Sequence, residues 1–430
     1  MDKKLTVVIV VTLDTKAEAA RFLRDEIASW GLETILIDPG ILGEPGIEAD
    51  ITRWQVAEAA GTTLEVLIAD GKKSLCIGKQ TEGLCNIVGR LRSEGRLDGI
   101  IGLGGGQGTS MVTAAMRSLP LGVPKVMLST IASGSFRFGP YVGTKDICMM
   151  HSVTDILDVN AISRPVLWNA ANAISGMVWR GAAPQREERP VIAITQLGMT
   201  TPCVMRIKSL LEPKGYQLVP FHASGAGGPG MEALAEEGRF VGIIDLSLHE
   251  VIDGIFNGIA GAHHRLESLA RHRTPTVVSV GGNDYILFES LEKAPEQYRD
   301  RIHVVHNPQM TAIQPNVEEM IKAAQAIVDP LNRAMGPVVV LIPSLGFTEI
   351  NQPGREFWLP DGNRAAIETL KNHLRPEVPV VVLDMHINDP DFADALADCM
   401  ERLIAGEAPI EIAARYSTRM RKFDGDEDRH

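Results

Sequence analysis

Long apolar runs are missing from this chain. No stretch approaches the roughly 20 residues that a membrane helix needs, and the run at 5–11, which follows Lys3 and Lys4, is ended by Asp14 and Lys16. Residues 5–11 therefore read as a first β-strand rather than a signal peptide, and the expectation is a cytoplasmic protein with no membrane partner. Paired cysteine motifs are missing too. Cys76, Cys85, Cys148, Cys203 and Cys399 are odd in number and show no C-x-x-C spacing, which argues against a disulfide framework and gives no signal for structural zinc. Buried thiols in a reducing compartment are the expectation. A basic excess is also lacking: the formal net charge is −12. Wrapping nucleic acid requires clustered Lys and Arg, so no nucleic-acid partner is expected, although a small basic pocket is still allowed.

What is present is the balance of a globular protein, 45% hydrophobic and 22% charged over 430 residues, a length that calls for two or three domains. Residues 5–11 form a continuous β-branched run, the pattern of a strand covered on both faces, and residues 16–30 then carry Ala19, Phe22, Leu23 and Ile27 at helical spacing. Strands follow at 34–37, 97–103 and 124–129, with long helical stretches at 53–92 and a closing helix at 166–178. Such alternation implies a mostly parallel, doubly wound sheet. The polar, proline-flanked segment 180–190 reads as a linker. After it the order repeats: strand 191–195, helix 202–211, strand 217–221. Gly31-Leu32-Glu33-Thr34 corresponds to Gly215-Tyr216-Gln217-Leu218, so the chain reads as two related α/β halves. Further strands are expected at 276–280, 302–305, 338–342 and 378–383, with helices at 317–328, 363–372 and 391–404.

The densest chemical signal is GLGGGQGTSM. Gly102, Gly104, Gly105, Gly106 and Gly108 lie between a buried strand and a helix expected to begin near Thr109. Glycines permit positive φ and close backbone approach, while a helix start offers unpaired N–H groups and a positive dipole end to a phosphate. The string is neither G-x-x-x-x-G-K-[ST] nor a good G-x-G-x-x-G. A tight structural turn is the alternative reading. Asp14 and Lys16 follow the first strand, where open α/β sheets bind ligands, and Thr15 with Glu18 has the spacing of a capping box. Ser129, Ser133 and Gly134 follow another strand, with Thr144 and Asp146 soon after, and are expected to converge on the same crevice or else to form ordinary turns.

Nine of the 11 histidines lie between His222 and His386, so acid–base and metal-binding potential belongs to the second half. His222, His249, Glu250 and His386 are the candidates for catalysis. Asp384, His386 and Asn388 would share one face if the strand continued through them, giving Asp384 and His386 as candidate metal ligands, with a hydrogen-bonded brace as the alternative.

Several strings together, TLDTKAEAARFLRD, GLGGGQGTSM, PYVGTKDICMMHSVTDILDVNAISRPVLWNAANAISGM, GMTTPCV, FHASGAGGPGMEAL and DMHINDPDFADAL, resemble a family of uncharacterised bacterial and fungal proteins related to the ATP-binding inhibitor domain of the tomato mosaic virus resistance protein. The resemblance runs from Leu5 to about Leu403. It implies an α/β fold of two Rossmann-like subdomains with mostly parallel, doubly wound sheets, here residues 1–182 and 190–422. It also implies ATP bound by the first subdomain, and homodimers. The plant relative inhibits a viral replication protein and resembles a fusion to a barrel domain, which makes a metabolic role plausible for this chain. Three places depart from the family pattern: 135–139 replaces an acidic residue, HNPQMTAIQPN lacks an Arg after its Thr, and Leu248-His249 stands where a Thr-rich pair is common. The expected function is ATP binding on the glycine-rich loop, with Mg2+ or another divalent metal and a small acidic metabolite as further candidates. The alternatives are a hydrolase or lyase acting on a small organic acid at the interdomain cleft, and an inhibitory protein-binding module.

Overall fold

The computed structural model describes residues 4–133, 139–181 and 189–423. Gly134, the departure at 135–138, most of the linker and the tail 424–430 lie outside the described residues. The chain divides into two compact units, Met1–Arg186 and Glu187–His430.

The first unit runs β1 (Thr6–Val11), α1 (Ala17–Ser29), β2 (Glu33–Ile37), α2 (Arg53–Ala59), α3 (Leu64–Asp70), α4 (Lys73–Ser93), β3 (Gly99–Gly104), α5 (Gly106–Arg117), β4 (Lys125–Ser129), α6 (Gly139–Val142), β5 (Cys148–His151) and α7 (Ser163–Trp179). Its five strands pair in parallel in the order β2-β1-β3-β4-β5. Successive side chains of a strand point to opposite faces, and β1 uses both. Val7, Ile9 and Val11 pack with α1 and α7, while Val8 and Val10 pack with α4 and α5. That two-sided burial is why the strand reads as an unbroken apolar run. The helical stretches expected at 53–92 are three helices, separated at Gly61 and Gly71, which adopt φ of 70°.

The second unit runs β6 (Val191–Gln196), α8 (Thr201–Leu211), β7 (Gln217–His222), α9 (Gly227–Glu236), β8 (Gly242–Ser247), α10 (His249–Phe256), β9 (Thr276–Gly281), β10 (Ile286–Phe288), β11 (His303–Asn307), β12 (Met310–Ile313), α11 (Val317–Asn332), β13 (Val338–Pro343), α12 (Pro360–His373), β14 (Val380–Leu383), α13 (Pro390–Ile404) and α14 (Pro409–Phe423). Six of its strands form a parallel sheet in the order β14-β13-β9-β8-β6-β7. Ile192 and Ile194 face α8 and α13, and Val278, Val340 and Ile342 face α11 and α12. The segment expected as a strand at 302–305 is one, but it belongs to a separate antiparallel sheet, β10-β12-β11.

Counted from the first strand of each unit, both parallel sheets begin 2-1-3-4-5, the flavodoxin-like order, whose topological switch point lies between strands 1 and 3. The correspondence of Gly31 with Gly215 is also physical. Each has positive φ, 76° and 96°, and each reverses the chain just ahead of the second strand of its unit.

Two glycines of the GLGGGQGTSM string exist for packing. A Cβ on Gly102 would lie 2.2 Å from Val112 Cγ1, and one on Gly104 would lie 2.8 Å from Gly108 Cα, whereas Gly106 faces open space. Gly102→Ala is expected to destabilise the chain by about 1–3 kcal/mol in urea unfolding, the usual scale for overpacking. Gly106→Ala should unfold with the wild-type midpoint, and equal losses in the two variants would contradict this division of roles.

Candidate functional site

Because the strands of the first sheet are parallel, the loops after β1, β2 and β3 share one rim. Between them lies a cavity of about 550 Å³ at the switch point between β1 and β3, walled by Asp14 and Lys16 after β1, Gly40 and Leu42 after β2, and Gly105, Gly106 and Gly108 at the start of α5. Helix α5 begins at Gly106 behind Gly105, and no side chain caps its first turn. A helix start leaves its first amides without intrahelical acceptors, so these amides and the positive end of the helix dipole are directed at the cavity rim. None of Gly102, Gly104, Gly105, Gly106 or Gly108 has positive φ. The expectation of left-handed turns is therefore corrected: these glycines serve close strand–helix approach and an unobstructed helix start.

Asp14 accepts a hydrogen bond from Thr15 Oγ1 at 3.5 Å, and Lys16 Nζ donates to the same hydroxyl at 3.2 Å. This use of Thr15 replaces the expected capping box. Helix α1 starts one residue later, at Ala17, with Lys16 as an N-cap that makes no side-chain bond. A second lysine, Lys73 at the start of α4, also lines the cavity. Sequence reading had passed over it, because a lysine within a helical run reads as a solvated face. An apolar side is supplied by Leu42, Ile68, Ile77 and Met111.

The other residues expected here take different positions. Thr109 is fully buried and its hydroxyl shares a 2.6 Å hydrogen bond with Ser129 Oγ, which also accepts from the Ile131 amide. Both belong to the wall behind the glycine loop. Ser133 Oγ contacts His151 Nε2 at 3.2 Å. Thr144 and Asp146 are a correction. Asp146 precedes β5 and binds Lys125 Nζ at 2.8 Å, at the start of β4. Both therefore lie at the amino edge of the sheet, opposite the cavity, and the Asp146 carboxylate neutralises a buried lysine.

The cavity wall depends on a buried ion pair that sequence reading did not find. Asp38, directly after β2, receives Arg53 Nε and Nη2 at 2.8 and 2.7 Å, and the amides of Leu13 and Gly40 at 3.2 and 2.9 Å. Arg53 Nη1 donates to the Leu42 carbonyl at 2.9 Å and to that of Gly43 at 2.6 Å, and Gln80 Nε2 donates to that of Gly40 at 3.0 Å. Loop 38–43 is thereby tied to α2 and α4. In dinucleotide-binding folds an acid at this strand end holds the ribose hydroxyls. Here that acid is already saturated.

The second unit has a glycine turn of its own, after β7, but its amides are occupied. Glu250 Oε1 accepts from Gly225 and Gly228 N–H at 2.7 and 3.3 Å, and Oε2 accepts from Arg265 Nε at 2.7 Å. Arg265 also pairs with Asp245, at 2.8 and 2.9 Å, and with Glu232. Glu250 is fully buried, so the side chain expected to act in catalysis is instead an internal anion seated on the glycine turn. His222 is exposed at the end of the edge strand β7.

His386 corrects the metal expectation. Asn388 N–H donates to its Nδ1 at 3.2 Å, so the proton is on Nε2, which donates to the Thr348 carbonyl at 2.9 Å. Neither nitrogen has a lone pair left for a metal. Asp384 accepts from Ser344 Oγ at 2.8 Å, and β14 has ended at Leu383, so positions 384, 386 and 388 do not share a strand face. Among the described residues no group of three His, Cys, Asp or Glu side chains could hold a metal ion.

His249 and Asp284 form the electrostatic centre of this rim. His249 is buried and stacked on Tyr285, with Nδ1 3.0 Å from the Gly282 carbonyl and Nε2 3.3 Å from Asp253 Oδ2. A carbonyl accepts only, so Nδ1 carries a proton. A lone pair on Nε2 would face a carboxylate, so Nε2 carries one too. Burial opposes that charge, but Asp253 outweighs it and the histidine pKa is raised. Burial pushes Asp284 up to about 7 against the opposing bond from Thr348 Oγ1.

Fold and crevice together define a two-unit Rossmann-like α/β protein with a pocket at the switch point of its first sheet. Residues 5–183 match the N-terminal domain and residues 189–404 the C-terminal domain of the uncharacterised protein family UPF0261, and the chain belongs to that family. It is 40% identical over 400 residues to a UPF0261 protein of Clostridium tetani, covering 92% of this chain and 98% of that one. It is 37% identical over 392 residues to a UPF0261 protein of Mesorhizobium japonicum, covering 90% and 97%. The ToMV resistance protein Tm-1 of Solanum lycopersicum is 33% identical over 362 residues, covering 82% of this chain and 48% of the plant protein. No helix among the described residues is long and apolar enough to cross a membrane.

The two raised pKa values have a common sign. Folded Asp284 and His249 hold their protons more tightly than the unfolded chain does, so their stabilisation is complete below the unfolded values, about 3.9 and 6.5. For Asp284 it is lost as pH climbs through about 7, and for His249 as pH rises past 6.5. Thermal melts of the wild type should fall between pH 5.5 and 8.5, and Asp284→Asn should flatten the profile. Parallel profiles would show that Asp284 does not carry the effect.

Proposed function

We propose that the first unit binds a nucleoside polyphosphate of the ATP class, with its phosphates on the start of α5. The supporting observation is the union, in one cavity, of an uncapped helix start free of side chains at Gly105 and Gly106 with two lysines from different elements, Lys16 and Lys73. Amides and ammonium groups together suit a multiply charged anion, and the missing P-loop lysine is replaced by Lys16. The volume falls in the range of roughly 300–1,000 Å³ typical of small-molecule sites. Leu42, Ile68, Ile77 and Met111 offer an apolar surface to a base. A dinucleotide is disfavoured, because Asp38 is committed to Arg53.

Asp14 is the carboxylate on the cavity wall and would be the protein ligand of a Mg2+ ion that offsets the phosphate charge. The reaction, if the nucleotide is turned over, belongs to groups not yet assigned. A homodimer, implied by the family resemblance, and a cytoplasmic location are part of this reading. Calorimetric titration with ATP should show saturable binding that Lys16→Ala weakens roughly tenfold or more, the scale of one charge-assisted hydrogen bond. Absence of ATP binding by the wild type, or full affinity in Lys16→Ala, would remove the proposal.

A further inference from the structure

We propose that the carboxyl rim of the second sheet is a second ligand site, holding a small polyhydroxylated molecule through Asn283, Asp284 and Asn388. The inference is independent of the nucleotide reading, since it concerns the other unit and other side chains.

Three buried oxygens carry it. Asn283 Oδ1, Asp284 Oδ1 and Asn388 Oδ1 have no hydrogen-bond partner. A buried acceptor without a donor is costly, and groups left so are commonly completed by a ligand or by ordered water. Asp284 and Asn388 are joined by one chain of contacts, and Asn283 directly precedes Asp284. Asn283 and Asp284 follow β9, and Asp284 Oδ2 is fixed by Thr348 Oγ1 at 2.6 Å, from the loop after β13. The Thr348 carbonyl accepts from His386 at 2.9 Å, whose Nδ1 accepts from Asn388 N–H at 3.2 Å, in the loop after β14. Asn388 Nδ2 donates to the Met199 carbonyl at 2.9 Å, in the loop after β6. Four strand ends thus meet at the rim where open α/β sheets bind their ligands. Along this path Asp284 Oδ2, Thr348 Oγ1, both His386 ring nitrogens and Asn388 Nδ2 are engaged, whereas the three oxygens are not.

The chemistry of the occupant follows from what is unsatisfied. The amide oxygens of Asn283 and Asn388 call for donors, and the Asp284 carboxyl group, which loses its proton at about pH 7, can meet a hydroxyl in either form. A metal cation is disfavoured by the His249 imidazolium, which stands at the end of β8 with its Nδ1 on the Gly282 carbonyl, next in sequence to Asn283. Hydroxyl groups donate without bringing positive charge, and several on one small carbon skeleton can reach several acceptors at once. Asn283 is 5% exposed and Asp284 1%, so the site lies beneath the surface of the rim.

Two probes test this on the full-length chain: D-gluconate, which carries hydroxyls and a carboxylate, and D-sorbitol, which carries hydroxyls alone. Calorimetry should show saturable binding of at least one, weakened tenfold or more by Asn388→Ala and by Asp284→Asn. Binding of gluconate only would support the site and add a carboxylate to its ligand class. Heat from neither probe, or affinity unchanged in both variants, overturns it. Should a variant fail to fold, a high-resolution crystal structure of the wild type soaked with gluconate decides. Ligand oxygens within hydrogen-bond distance of Asn283 Oδ1 and Asp284 Oδ1 support the site, and ordered water alone on the three oxygens overturns it.

Discussion

The governing constraint is that within each of the two large sheets every strand runs parallel to its neighbours. A parallel strand can be followed by another only after a crossover, and the crossover helices bury both faces of the sheet. Two consequences follow from that geometry alone. The strands must be apolar on both sides, as Val7 to Val11 are, and all polar chemistry is driven to the strand ends. The cavity of the first unit and the histidine–aspartate cluster of the second both lie at carboxyl rims for this reason, and neither could have been built on the sheet faces.

The two units use the rim in contrasting ways. In the first, the helix start after β3 is left uncapped beside a cavity. In the second, the helix start after β8 is occupied by His249, which is held by Asp253 one turn further on and by the Gly282 carbonyl. Similar strand order therefore supports an open, cationic crevice in one half and a closed network with a few unsatisfied atoms in the other. The difference arises from side chains at equivalent loop positions, small in one case and titratable in the other.

Much of the scaffold was legible in the sequence, because β-branched runs and helical spacing encode burial directly. Strand β8 was harder to see, since Asp245 interrupts its apolar run; in the fold that aspartate is buried against Arg265. Strand β5, CMMH, is a partly exposed edge strand with no β-branched residue to announce it. At the site, the sequence brought Asp14, Lys16 and the glycine string to one rim, and these do line one cavity. It could not separate Gly102, which is needed for packing, from Gly106, which faces space, because that distinction is a matter of ångströms to Val112. Nor could it pair Asp38 with Arg53, or see that Thr144 and Asp146 leave by the opposite edge. Long-range partners of charged residues carry no periodic signature, so they become visible only once the chain is folded.

The carboxylate seated on the second glycine turn has a consequence for stoichiometry. A free anion approaching those amides would have to displace Glu250, and with it disrupt an arginine that serves three acids in the interior. The turn is in effect self-liganded. Repetition of the α/β half has therefore not repeated the open turn: of the two glycine-rich turns, the first lines a cavity and the second is filled by the chain's own carboxylate.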